Sequence, residues 1–168
     1  ALSIRRYWSL NAQIEAGASD PIMDDATAVK TLSETLANAV SRQMISDVPL
    51  GAFLSGGVDS SAIVALMQER SSQPVKTFTI GFDVPEFDES PHAAAVAQHL
   101  GTEDHEFRVT ESDVQGVVPD LPQLYDEPFA DSSQIPTHLV CRAACSHVST
   151  GCACTGGDGV FGGYNRYL

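Results

Sequence analysis

The chain has 168 residues and carries 22 Asp and Glu against 9 Lys and Arg, a formal charge of -13. That length suits one domain better than two, and the acidic excess argues against a broad nucleic-acid surface or an anionic membrane as partner. No apolar run is long enough to span a bilayer and no signal-peptide pattern opens the chain, so the expected compartment is the cytoplasm.

Residues 1–23 read as a linker or entering segment around the aromatic pair Tyr7-Trp8. From 24 to 44, Ala28, Leu32, Leu36, Ala37 and Val40 recur at helical spacing, and Asp47-Val48-Pro49 ends the pattern. Residues 50–54 read as a buried strand and 60–68 as the helix after it. A second strand, rich in β-branched residues, covers 75–80. A helix over 89–100 ends at Gly101, and a short strand follows at 105–109. Pro119 kinks or divides a helix over 111–124. A last helix at 136–146 leads into a strand at 148–154. This alternation predicts an α/β fold, a mostly parallel sheet with helices on both faces.

The strand-to-helix turn Leu54-Ser55-Gly56-Gly57-Val58-Asp59-Ser60-Ser61 carries the clearest chemistry. Gly56 and Gly57 let the backbone approach a ligand and adopt positive φ. Ser55, Ser60 and Ser61 bring hydroxyls, and the opening turn of the helix brings unpaired amides and the positive end of its dipole. Together they make an anion cradle. Asp59 would repel a phosphate there unless magnesium lies between them; the other reading is a cap on the helix. The string is neither a Walker A loop nor a dinucleotide-binding glycine motif.

Two further constellations follow. In Tyr125-Asp126-Glu127-Pro128-Phe129-Ala130-Asp131-Ser132-Ser133, the residues Asp126, Glu127, Asp131 and Ser132 could hold an amino-acid substrate or help organise metal, or form a solvated connection capped by Asp131 or Ser132. Gly156-Gly157-Asp158-Gly159 again follows a strand. Neighbouring parallel strands share one crevice at their carboxyl ends, so Asp158 can meet Asp59 and complete a magnesium clamp. Gly81-Phe82-Asp83 offers either a backbone edge for adenine or an ordinary strand-ending turn. Cys141, Cys145, Cys152 and Cys154 lack the paired spacing of a zinc site and read as core or half-buried thiols. The five histidines, also without metal spacing, read as surface or structural residues.

The 54–61 string resembles the pyrophosphate-binding loop of ATP-pyrophosphatase enzymes. With Ile4-Arg5-Arg6-Tyr7-Trp8, Ser46-Asp47-Val48-Pro49, Thr77-Phe78-Thr79-Ile80-Gly81-Phe82, Asp88-Glu89-Ser90, His99-Leu100-Gly101-Thr102-Glu103, the 125–133 string and Phe161-Gly162-Gly163-Tyr164, the chain resembles the synthetase domain of glutamine-hydrolysing asparagine synthetase. More widely it resembles the amide-forming relatives of that domain, beta-lactam synthetase among them. The resemblance implies an adenine nucleotide alpha hydrolase-like fold over 24–168, C-terminally incomplete. It implies ATP and magnesium, and aspartate activated as beta-aspartyl-AMP for attack by ammonia. The ammonia would come from an N-terminal glutaminase domain absent from this chain.

Carried onto this sequence, Ser55, Gly56, Gly57, Asp59 and Ser60 would hold pyrophosphate and magnesium, with Asp158 as the second metal carboxylate. Leu54 and Ile80 would frame adenine, Gly156 would border the nucleotide, and Asp126, Glu127, Asp131 and Ser132 would serve the substrate. Asp59, Asp158 and Thr155 are the catalytic candidates, although Thr155 and Gly159 stand where the family carries acids. Those departures leave two alternatives, a degenerate nucleotide-binding module without synthetase activity and a related ligase acting on another carboxylate. Core surface left uncovered by a missing C-terminal portion would favour self-association.

Overall fold

The computed structural model describes residues 2–128, 131–154, 156–161 and 163, with the side chain of Phe87 left out. The chain divides into two compact units, residues 1–38 and 39–168.

The first unit holds α1 (Leu10–Ser19) and most of α2 (Asp25–Gln43), which runs on into the second. Ten of the residues read as linker are therefore helical. Their pattern is easy to miss, because Leu10 and Ile14 are its only large apolar residues, and they are 58% and 60% exposed. Asp24 begins α2: one of its carboxylate oxygens accepts from the Thr27 amide at 2.8 Å and from the Thr27 hydroxyl at 2.7 Å.

The second unit is built on four parallel strands, β1 (Leu50–Phe53), β2 (Lys76–Phe82), β3 (Glu103–Val109) and β4 (Thr150–Cys152), in the order β3-β2-β1-β4. The expected α/β architecture, a parallel sheet with helices on both faces, is the one observed. On one face Ala52, Leu54 and Val75 pack with Val64 and Met67 of α3 (Val58–Arg70) and with Ala93 and Ala97 of α4 (Ser90–Leu100). On the other, Phe78 packs with Ala144 of α7 (Gln134–Ala144) and with Val148, Phe53, Phe107 and Val140. The period of two along β2 assigns these faces, Phe78 to one and Thr77 and Thr79 to the other.

Glycines in β1 and β4 make room for the large rings. A side chain on Gly51 would collide with the Phe78 ring, and one on Gly151 would come within 3.1 Å of the Phe53 ring. Gly101, at φ 71°, ends α4 in the left-handed cap its position predicts. Pro119 divides its segment into α5 (Glu111–Val117), a 3-10 turn at Val118–Asp120 and α6 (Leu121–Leu124). The 156–159 string leads into a short helix, α8 (Gly157–Phe161).

The strand order positions the site. From β1 the chain adds β2 and then β3 on one side, and returns with β4 on the opposite side of β1. The carboxyl ends of β1 and β4 are thus a topological switch point, the place where open α/β sheets leave a crevice.

Candidate functional site

A cavity of about 350 Å³ opens at these strand ends. Its apolar wall comes from Phe53, Leu54, Phe78, Ile80 and Phe82, closed by Pro136, Thr137 and Val140 of α7. Its polar end comes from Ser55 and Ser60, with Glu89 and Cys154 at the rim. An apolar slot with a few convergent polar groups at one end suits a flat heterocycle carrying a charged tail.

The turn after β1 is held tightly. Leu54 donates its amide to the Phe78 carbonyl at 3.0 Å and accepts from the Thr79 hydroxyl at 2.8 Å. The Ser60 hydroxyl donates to the Gly57 carbonyl at 3.2 Å, so the Ser55 hydroxyl is the donor in their 2.9 Å contact. The Ser55 amide also donates to the Ser60 oxygen at 3.3 Å, and the Gly57 amide to the Ser55 oxygen at 3.3 Å. Gly56 has φ 82°, and a β-carbon there would lie 2.6 Å from the Ala93 amide nitrogen and 2.8 Å from the His92 β-carbon. Only glycine fits between the turn and α4.

Ser61 does not join this cradle. Its hydroxyl is buried without a hydrogen-bond partner among the described residues, on a separate groove between α3 and α4. Gly57 is the N-cap of α3, and Asp59 lies in the first turn rather than at the cap position.

Asp59 and Asp158 follow the adjacent strands β1 and β4. A side chain on Gly157 would collide with the Asp59 carboxylate, and one on Gly163 with the Asp158 carboxylate. Cys154 senses both: partial burial pushes its thiol up, the Asp59 charge adds to this and Asp158 adds less, while the Gly157 amide pulls the other way. Both carboxylates thus act on Cys154, and their hard oxygen donors are of the type magnesium takes. Among the described residues, no group of three or more His, Cys, Asp or Glu side chains forms a metal cage. Gly156, at φ 99°, makes the turn into α8. Thr155 lies outside the described residues.

No described residue of the 125–133 string lines this slot. Asp126 and Glu127 line a different cavity of about 420 Å³ with Leu121, Pro122, Tyr125, Pro128 and Gln134. Asp131 accepts from the Ser133 amide at 2.8 Å, a turn that starts α7, and Ser132 sits within that turn. The sequence reading did not reach Phe53, Glu89, Pro136, Thr137, Val140 or Cys154. Phe53 and Cys154 stand at strand ends that it had identified, but no pattern showed which face of α7 closes the slot.

Comparison with known proteins decides the kinship. The asparagine synthase family model matches residues 31–168. The chain belongs to that family. A provisionally named glutamine-hydrolyzing asparagine synthetase 2 of Methanocaldococcus jannaschii is 39% identical over 149 residues, 88% of this chain and 29% of its own. Asparagine synthetase 1 of Bacillus subtilis is 37% identical over 139 residues, 83% of this chain and 22% of its own. This family member thus spans under a third of the length of those relatives. Among solved structures, an NH3-dependent NAD synthetase from Campylobacter jejuni superposes with a TM-score of 0.53 at 14% identity, covering 82% of this chain and 62% of that one. That likeness is one of fold.

Proposed function

We propose that this chain is the nucleotide-binding part of an ATP-dependent amide-forming synthetase that activates aspartate as beta-aspartyl-AMP for attack by ammonia. The observation that carries the reading is the Ser55-to-Ser60 turn at the mouth of an apolar slot, with Asp59 and Asp158 converging beside it. Family membership supplies the reaction class and the relatives' names supply the amino acid.

In this reading adenine lies against Leu54, Ile80 and Phe82, and the phosphates run toward Ser55, Gly56, Gly57 and Ser60. Asp59 and Asp158 would hold magnesium, which would supply positive charge to the departing pyrophosphate. The backbone amides and hydroxyls of the turn are aimed at that same developing charge, an electrostatic contribution fixed before reaction. The substrate carboxylate attacks the α-phosphorus, the bond from that phosphorus to the bridging oxygen breaks, and pyrophosphate leaves with the electron pair. Ammonia then attacks the acyl carbon, loses a proton, and AMP departs. Juxtaposing the two substrates accounts for much of the rate. Ammonia supply belongs to a glutaminase domain outside this chain.

A second reading, a nucleotide-binding module without synthetase activity, is favoured by Thr155 and Gly159 in place of acids. Calorimetric titration with Mg-ATP tests what both readings share, and no binding at millimolar nucleotide would overturn them. Aspartate-dependent exchange of labelled pyrophosphate into ATP then separates the synthetase from the silent module. Exchange that requires a different carboxylate would assign another ligase.

A further inference from the structure

One carboxylate just outside the slot joins its two halves. Asp88 Oδ1 accepts from the Phe82 amide at 3.3 Å and from the Ser90 amide at 3.1 Å. The Ser90 hydroxyl also bonds this carboxylate. Asp88 Oδ2 accepts from Arg108 Nη1 at 3.1 Å, and that nitrogen donates as well to the Phe82 carbonyl at 3.0 Å. Arg108 Nε meets Glu106 at 3.1 Å. The knot is close-packed: a β-carbon on Gly81 would lie 3.0 Å from Glu106 Oε1, 3.0 Å from Ser90 Oγ and 3.3 Å from Asp88 Oδ1.

Two arms of this knot end on the site. Phe82 lines the slot, and its amide and carbonyl are both tied, one to Asp88 and the other to Arg108. Ser90 begins α4, whose next residues, His92 and Ala93, back directly onto Gly56 of the turn. Asp88 itself is absent from the cavity lining.

We infer that Asp88 is a positioning residue for nucleotide binding: it fixes the end of β2 as the wall for the base and sets the first turn of α4 as the backing for the phosphate turn. The inference rests on the nucleotide reading proposed above. Without the carboxylate, the Phe82 and Ser90 amides lose their shared acceptor, and both walls relax independently of the core beneath them.

The test titrates the 168-residue chain and its variants with Mg-ATP and melts each in parallel. Asp88→Ala should weaken binding about tenfold, the effect expected on losing hydrogen bonds to a charged group. Asp88→Asn keeps an oxygen acceptor for the two amides and should recover most of that affinity. Arg108→Gln, at a half-exposed position, should weaken binding about threefold, since it cuts the ties to the Phe82 carbonyl, the Asp88 charge and Glu106 but leaves the Asp88 bonds to the two amides. It stands in if Asp88→Ala does not fold. Thr77→Val, which removes the part-buried Thr77–Asp104 hydrogen bond of 2.9 Å beside Thr102, is the control for lost stability without lost affinity. Wild-type affinity in both Asp88→Ala and Arg108→Gln, or an equal loss in Thr77→Val, would overturn this role for Asp88 alone. Wild-type protein that binds no Mg-ATP would overturn the nucleotide reading and this inference with it.

Discussion

The carboxylate of Asp59 fills the space that a side chain on Gly157 would need. The turn after β1 and the helix after β4 therefore interlock at the strand ends, although nearly a hundred residues separate them in sequence. Gly157→Ala should displace that carboxylate and weaken Mg-ATP binding about tenfold or more. Folding should be little affected, because alanine favours the first turn of a helix over glycine by about 1 kcal/mol. Gly159 has no neighbour within 4 Å at its β-carbon position, so Gly159→Ala is the matched control. Titration and thermal melting of the pair check both halves, and equal affinity in the two variants would rule out the interlock.

Gly56 and Gly101 both have positive φ, 82° and 71°, but in different surroundings. Gly101→Ala meets nothing within 4 Å and should cost only the left-handed strain of about 1–2 kcal/mol. Gly56→Ala adds a collision with the backbone of α4 and should cost measurably more, with loss of nucleotide binding. Denaturant unfolding of the two variants measures the difference. Equal stabilities would show that the turn can move off α4.

Much of this arrangement was legible beforehand, and for physical reasons. β1 and β2 are apolar or β-branched runs, and Gly101 and Pro119 end or divide helices through backbone restrictions that no tertiary context removes. That Asp59 and Asp158 both stand at the carboxyl end of the sheet follows from each coming directly after a parallel strand. What the sequence could not disclose depends on packing direction. Pro136, Thr137 and Val140 close the slot because α7 presents that face to β2, which its composition does not encode. Asp126 and Glu127 line a cavity other than the slot, a placement set by the course of the loop that charge pattern does not encode. α1 escaped notice because a helix with two large apolar residues has little periodicity to read.

Acid should weaken the fold through three carboxylates held below their ordinary value of 3.8: Asp24 chiefly by the Thr27 hydroxyl, Asp88 chiefly by the Ser90 hydroxyl and Asp113 chiefly by the Thr110 hydroxyl. A carboxylate with a depressed folded-state pKa contributes stability that is complete above its unfolded value and is lost as pH falls through its folded one. Denaturation midpoints should hold steady from neutrality to about pH 5 and drop below about pH 4. Thr110 and Asp113 form a reciprocal capping box on α5. Thr110→Ala should cost about 1 kcal/mol at neutral pH and make the acid limb shallower. An unchanged limb in that variant would separate Asp113 from the acid response.

Cys154 offers a reporter of the charge at the site that does not depend on turnover. Its thiol is exposed, yet partial burial and then the Asp59 carboxylate push it above its ordinary value, so little thiolate is present at neutral pH. Iodoacetamide should therefore label it slowly in the wild-type chain. Asp59→Asn removes one negative charge beside the sulfur and should speed labelling about threefold, the effect of a unit charge a few ångström away in a hydrated site. Bound Mg-ATP should slow labelling of the wild type, because Cys154 forms part of the cavity wall with Ser55 and Ser60. Peptide mass spectrometry, with the exposed Cys145 as internal reference, reads both effects. Labelling indifferent to Asp59→Asn would place that carboxylate away from the sulfur, and labelling indifferent to Mg-ATP would place the nucleotide outside this slot.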